Sequence, residues 1–303
     1  MERAVVTAID PATAGRISAA PTRPVLRYHG GKWKLAPWIL KHFPQHGVYV
    51  EPFAGAASIL MLKKRVAAEV YNDLDGGVVN LFRILRDPAR AAELQRLVEL
   101  TPFARAELEW SMEPASDEME AAHKLILRSF LGRGSDSATR SCRTGFSTLL
   151  SEERALPAQA FSKWPSAVPQ FVARLQGVLI ENRPAVDVIQ AFDTPNTLIY
   201  ADPPYLHSTR SALQGRGKKS HGYKHEMDDQ QHAELASVLR AAKGMVLLSG
   251  YPSALYDELY ADWRQVSIGH RAELGAARTE VLWMNPACER SLEQQASQQR
   301  MFA

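Results

Sequence analysis

Apolar residues recur along this chain in short blocks that end abruptly in turn residues. Val48-Tyr49-Val50, Glu69 to Asn72, Val178 to Glu181, Thr197 to Ala201, Met245 to Ser249 and Thr279 to Met284 are rich in β-branched and aromatic side chains. Each is too short for a free helix and is predicted to be a strand. Between them lie helical patterns, among them Lys34 to His42, with Leu35, Trp38, Ile39 and Leu40 beside lysines, and the run Ile59 to Leu62. Alternating strands and helices predict a parallel α/β sheet. The alternation stops between Pro88 and Pro169, where helical patterns such as Ala89 to Leu100 and Ala121 to Phe130 dominate, and then resumes. The expectation is one sheet domain, residues 23–87 and 170–288, interrupted by a helical insertion at 88–169. A loose Ala/Pro/Thr-containing tail at 1–22 and a polar, Gln-rich tail at 289–303 flank it.

The prolines and glycines at the strand ends carry the chemistry. Thr197 to Ala201 stops at Asp202-Pro203-Pro204-Tyr205, where two prolines forbid continuation and push Asp202 into extended geometry. A carboxylate at the carboxyl end of a strand stands where open α/β sheets bind ligands. The carboxylate and a proline-flanked carbonyl are both acceptors, suited to the two hydrogens of one exocyclic amine, with the Tyr205 ring as a stacking face. An aryl amine is a poor nucleophile because its lone pair is delocalised; two acceptors that favour a pyramidal nitrogen return that pair for attack. Glu51-Pro52-Phe53-Ala54-Gly55-Ala56-Ala57-Ser58 follows the strand Val48 to Val50, and small residues opening a helix there let a ligand approach the backbone. Asp73 ends the next strand roughly twenty residues further on, where nucleotide-binding sheets place an acid for ribose hydroxyls.

Composition narrows the partners only slightly. At 303 residues, 46% hydrophobic and 23% charged, the chain is an ordinary globular protein with a substantial core. The net charge of +3 admits a polyanion without requiring one, so clustering has to decide. Two segments cluster: Arg128, Arg133, Arg140 and Arg143 stand among Gly, Ser and Thr, and His207 to His225 holds Arg210, Arg216, Lys218, Lys219 and Lys224 without a carboxylate. Both suit phosphate contact. Two cysteines, Cys142 and Cys288, make no disulfide framework, which suits a cytoplasmic location, and no stretch approaches membrane-spanning length. Gly215 to Ser220 lacks P-loop glycine spacing, and His221, His225 and Glu226 lack a third ligand at motif spacing, so no metal is expected.

Taken in order, Tyr28-His29-Gly30-Gly31-Lys32, Glu51 to Ala57, Asn72-Asp73, Asp202 to Tyr205 and Glu280 to Asn285 resemble the motifs of the Dam-like (D12 class) adenine-specific DNA methyltransferases. The resemblance covers about Arg27 to Pro286 and is closest to phage or prophage members. It implies a Rossmann-like sheet with an inserted helical target-recognition subdomain and S-adenosylmethionine as cofactor. It implies double-stranded DNA as partner, no metal, and a monomer. Carried over residue by residue, it implies that Tyr28, Lys32, Glu51, Pro52, Phe53, Gly55, Asp73 and Asp202 form the cofactor site. Asp202, Pro203, Pro204 and Tyr205 carry the chemistry on a flipped-out base, and Arg128, Arg133, Arg140, Arg143, Arg210, Lys218 and Lys219 meet DNA.

Two departures stand out: Ala57 replaces the loop's final glycine, and Tyr28 a tryptophan. The Asn-Gly-Leu-x-Arg-x-Asn stretch of Dam-type inserts is replaced by Leu131 to Asp136, so GATC recognition is not implied. Cytosine-N4 methylation asks for the same pocket, though usually with serine in place of Asp202. A non-catalytic DNA-binding relic is the remaining alternative, as is an RNA or protein methyltransferase. A role in restriction-modification stays open at this point.

Overall fold

The computed structural model describes residues 20–138, 145–148, 157–209, 224–271 and 277–301. Seven strands form one sheet: β1 (Val48–Glu51), β2 (Ala68–Asn72), β3 (Val178–Glu181), β4 (Thr197–Ala201), β5 (Met245–Gly250), β6 (Arg264–Arg271) and β7 (Ala277–Met284). Their spatial order is β3-β2-β1-β4-β5-β7-β6. The first five run parallel, in registers such as Val50 beside Val70 and Ile199 beside Val246. The chain winds outward from β1 through β2 to β3, then returns to place β4 on the other side of β1. The strand order therefore reverses between β1 and β4, and a crevice opens at their carboxyl ends.

The purely parallel sheet expected from the alternation is corrected at one edge. β7 pairs antiparallel with both β5 and β6, closing the sheet with a hairpin. Strand β6 escaped the sequence reading because it is an edge strand: Arg264, Gln265 and Ser267 are exposed and only the partly covered Val266 and Ile268 alternate with them. Polar edge strands are a common protection against further pairing.

Neighbouring residues in each strand face opposite layers. Tyr49, Tyr71, Leu198, Tyr200, Leu247 and Leu282 belong to one buried cluster, and Val50, Val70, Ile199, Val246, Leu248 and Trp283 to the other. The first layer includes α1 (Ala36–Ile39), α2 (Ser58–Leu62), α3 (Gly76–Arg86) and the helices α4 (Pro88–Leu100), α5 (Arg105–Trp110), α6 (Glu118–Leu131), α7 (Pro157–Ser162) and α8 (Val168–Leu175). The second is covered by α9 (Ala185–Phe192), α10 (Asp229–Arg240) and α11 (Ala254–Leu259). Helices of the 88–169 region thus share a core with the sheet. They also support the candidate site, since the Arg27 N–H donates to Ser129 Oγ of α6 (2.8 Å) and the Trp164 indole N–H to the Val25 carbonyl (2.8 Å). The Gln-rich C-terminal segment lies within a helix, α12 (Pro286–Met301), anchored by the buried Cys288 and by Asn285, whose amide binds Gly244 and Val246 across β5.

One backbone position is strained. Ala57, immediately before α2, sits at φ 54°, ψ 36°, in the left-handed region. This is the conformation that favours glycine, the residue that Ala57 replaces. An L side chain costs about 1–2 kcal/mol in that region. Against this, the fully buried Ala57 methyl contributes about 0.8 kcal/mol, and glycine costs a further ~0.5–1 kcal/mol of chain entropy. Ala57→Gly is accordingly expected to leave stability within about 0.5 kcal/mol of wild type, whereas Ala57→Val, β-branched in the same conformation, loses more than ~2 kcal/mol. Urea melts of both variants check this; a large loss in the glycine variant would contradict it.

Candidate active site

The loop leaving β1 is held open by bonds to the end of β2. The Ala54 N–H donates to the Asn72 carbonyl (2.9 Å), the Asn72 amide to the Pro52 carbonyl (2.9 Å), and the Tyr71 hydroxyl to the Gly55 carbonyl (2.9 Å). Gly55 itself adopts φ 48°, and a Cβ there would lie 2.7 Å from Tyr28 Cε1. Glycine is required twice over, by conformation and by the tyrosine ring packed on it. The Gly55 N–H donates to Asp73 Oδ2 (2.8 Å) and the Asp75 N–H to Asp73 Oδ1 (2.8 Å), fixing that carboxylate at the rim of the crevice. Burial raises the Asp73 pKa, opposed by those two bonds.

Glu51, the last residue of β1, is buried. Its Oε2 accepts from the Tyr49 hydroxyl (2.9 Å) and from the Leu60 N–H in the first turn of α2 (3.0 Å). Burial pushes its pKa up to about 8 despite both bonds. Phe53 and Glu51 line the same crevice as Tyr28, Gly55, Asp73 and Asp202, a cleft that is partly open to solvent. Lys224 to Met227, the returning end of the loop after Tyr205, form part of its wall, and Lys224 Nζ pairs with Asp75 Oδ1 at 2.7 Å.

All five residues of β4 are buried, and the strand delivers Asp202 to the crevice floor, where Pro204 also faces the cleft. Asp202 Oδ1 accepts from Ser249 Oγ of β5 at 2.8 Å. That bond uses the serine's only proton, so the Tyr200 hydroxyl, 3.0 Å from Ser249 Oγ, is the donor in the next link. Asp202 Oδ2 pairs with Lys32 Nζ at 2.8 Å. Lys32 also donates to the Gly30 carbonyl (2.9 Å) and lies 4.7 Å from the centroid of the Tyr205 ring.

Tyr205 is 7% exposed and is held from two sides. Tyr251 packs edge-on at 4.4 Å between centroids, and the Tyr205 hydroxyl donates to Glu280 Oε1 at 2.5 Å. Glu280, on β7, is itself buried and lies 3.8 Å from Lys32 Nζ. Burial pushes its pKa up to about 7, opposed by Lys32 and reinforced by the Asp202 charge.

The structure thus brings Tyr28, Lys32, Glu51, Phe53, Gly55, Asp73, Asp202 and Pro204 to one crevice, with Tyr205 buried next to Lys32. Pro52 contributes its carbonyl to the loop anchor, and Pro203 is buried. Of the basic residues assigned to DNA, Arg133 is exposed, while the Arg128 guanidinium is partly buried and donates to the Ser111 carbonyl at 2.5 Å. Arg140, Arg143, Arg210, Lys218 and Lys219 lie outside the described residues. Gly132 bridges to Phe146, which draws the two ends of the arginine-bearing segment together. Sequence reasoning read Ser249 only as the end of a strand and gave Glu280 no individual role. The available signal was a lone acid at the head of the apolar run Val281-Leu282-Trp283.

The chain is 24% identical over 244 residues to a DNA adenine methylase of Salmonella typhi, covering 78% of this chain and 84% of that protein. It is similarly 24% identical over 245 residues to a DNA adenine methylase of Escherichia coli strain K12, with the same coverage. The family model of the D12 class N6 adenine-specific DNA methyltransferases matches residues 28–274, from the tyrosine packed on Gly55 to beyond β6. The chain belongs to the D12 class of N6 adenine-specific DNA methyltransferases.

Proposed function

We propose that this DNA adenine methyltransferase draws its methyl group from S-adenosylmethionine and delivers it to N6 of an adenine flipped out of duplex DNA. The observation that carries the reading is the position of Asp202. Asp202 lines the glycine- and acid-lined crevice, and its Oδ2 holds the Lys32 ammonium at 2.8 Å, 4.7 Å from the centroid of the Tyr205 ring.

The residues present fit such a cofactor. The bare Gly55 backbone against Tyr28 leaves room that a Cβ would fill, Asp73 offers acceptors for ribose hydroxyls, and the Asp202 carboxylate attracts a sulfonium. Tyr28, Lys32, Glu51, Phe53, Gly55 and Asp73 would hold it. When bound, the cofactor would supply an electrophilic methyl carbon to N6, with the carbon–sulfur electron pair leaving on a neutral thioether and the surplus N6 proton passing to solvent. Asp202 and the adjoining carbonyl accept the amine hydrogens, which keeps the nitrogen lone pair directed at the methyl group. Tyr205 supplies the stacking face. Flipping costs roughly a few kcal/mol, and exposed Arg133 with the basic loop after Tyr205 would grip phosphates meanwhile.

Incubation with labelled S-adenosylmethionine and duplex DNA, followed by digestion to nucleosides, is expected to yield N6-methyladenine as the sole labelled nucleoside. Label in N4-methylcytosine, or none, would overturn the reading. Methylation-sensitive sequencing of the same DNA then reads out the recognition sequence.

A further inference from the structure

Lys32 takes two contacts that the target base needs, one for its amine and one for its ring. Its ammonium sits 2.8 Å from Asp202 Oδ2 and 4.7 Å from the Tyr205 ring centroid, so a base stacked on Tyr205 with its amine on Asp202 requires the same space. A side chain with 6% exposure has few places to go. Moving a buried ammonium off its partner costs several kcal/mol unless a second acceptor receives it. Among the described residues, Glu280 Oε1 is an acceptor within reach, 3.8 Å from the same Nζ, on a side chain 2% exposed. The Gly30 carbonyl, 2.9 Å from Nζ, tethers the lysine during so short a shift.

We propose that Lys32 is a displaceable stand-in for the target amine, and that arrival of the base passes its ammonium from Asp202 to Glu280, which makes Glu280 a positioning residue for base capture. The inference rests on the proposed function. The hand-over frees Asp202 Oδ2 as an acceptor at the moment the amine needs it. It also keeps a positive charge near the crevice without placing it against the sulfonium carbon. When no base is seated, the lysine neutralises Asp202 and occupies the stacking face, so that water and adventitious amines are kept from the methyl donor.

A double-mutant cycle tests this, with duplex DNA carrying the recognition sequence and saturating cofactor. Glu280→Gln retains an acceptor for the Tyr205 hydroxyl but loses the charge. It is expected to raise KM for DNA by about tenfold or more, with a smaller change in kcat and an unchanged cofactor Kd. In a Lys32→Met background there is no ammonium to receive, and Glu280→Gln is expected to change KM by less than about twofold. Glu280→Asp, which keeps the charge, should recover much of the loss and serves also if the glutamine variant melts early. Equal penalties in both backgrounds, as a role confined to holding Tyr205 would give, or a wild-type KM in Glu280→Gln, overturns the hand-over. Failure of the wild-type protein to methylate DNA at all would instead strike the proposed function.

Discussion

Asp202→Ala is expected to lower the rate of N6-methyladenine formation at least about 10³-fold while leaving the fold and DNA affinity in place. The size of the effect follows from the number of tasks the carboxylate performs. It is the acceptor for the target amine, the negative charge facing the crevice, and the partner that holds Lys32 and Ser249. The fold survives because each partner has a second attachment. Lys32 keeps the Gly30 carbonyl at 2.9 Å and lies 3.8 Å from Glu280. Ser249 keeps the Tyr200 hydroxyl at 3.0 Å and lies 3.4 Å from the Ala201 carbonyl. Single-turnover methylation, fluorescence anisotropy with duplex DNA and a thermal melt separate the three quantities. A variant within tenfold of wild-type activity would refute the assignment of Asp202.

The largest loss of stability is expected far from the crevice. Glu69 of β2 forms a bidentate pair with Arg174 of α8, Nη1 to Oε2 at 2.6 Å and Nη2 to Oε1 at 3.0 Å, and Oε1 also accepts from Lys63 Nζ at 2.6 Å. The three side chains are 2%, 7% and 2% exposed respectively. Glu69→Ala leaves two buried cations sharing no counter-charge, with a cost of about 3–5 kcal/mol. Lys63 would retain the Lys64 carbonyl at 2.7 Å and the face of Tyr49 at 4.5 Å, which keeps the cost from rising further. Denaturant melts measure the loss directly; a change under 1 kcal/mol would show that the cluster is hydrated in solution. The sign of the pH dependence is also determined. Burial opposes ionisation of Glu69, but Arg174 and then Lys63 outweigh it and hold the carboxyl below its ordinary value of 4.5. A depressed folded pKa contributes stability that is present above 4.5 and is lost as pH falls through the folded value, so the difference between wild type and Glu69→Ala should shrink in acid.

Much of the site was legible without coordinates because its parts are local. Proline after Asp202, glycine at 55 and an acid at the end of β2 are each decided by the φ, ψ and hydrogen-bonding needs of a few consecutive residues. The same locality explains what was missed. Strand β6 has too little apolar alternation to be recognised alone, and it becomes a strand through pairing with β7. Nor could the sequence show that the Arg128 guanidinium donates to the Ser111 carbonyl, 17 residues earlier.

By itself, the sequence determined six of the seven strands, roughly where they stop, and which side chains stand at the carboxyl ends of the parallel ones. The tertiary structure decided what those side chains touch. That Glu280 meets Tyr205 across 75 residues, that Lys32 rather than solvent answers Asp202, and that the polar C-terminal segment lies against β5 all depend on strand order and on a reversal between β1 and β4. Such contacts are fixed by how apolar faces stack into two layers, a choice made by the whole core at once, and no run of neighbouring residues encodes it.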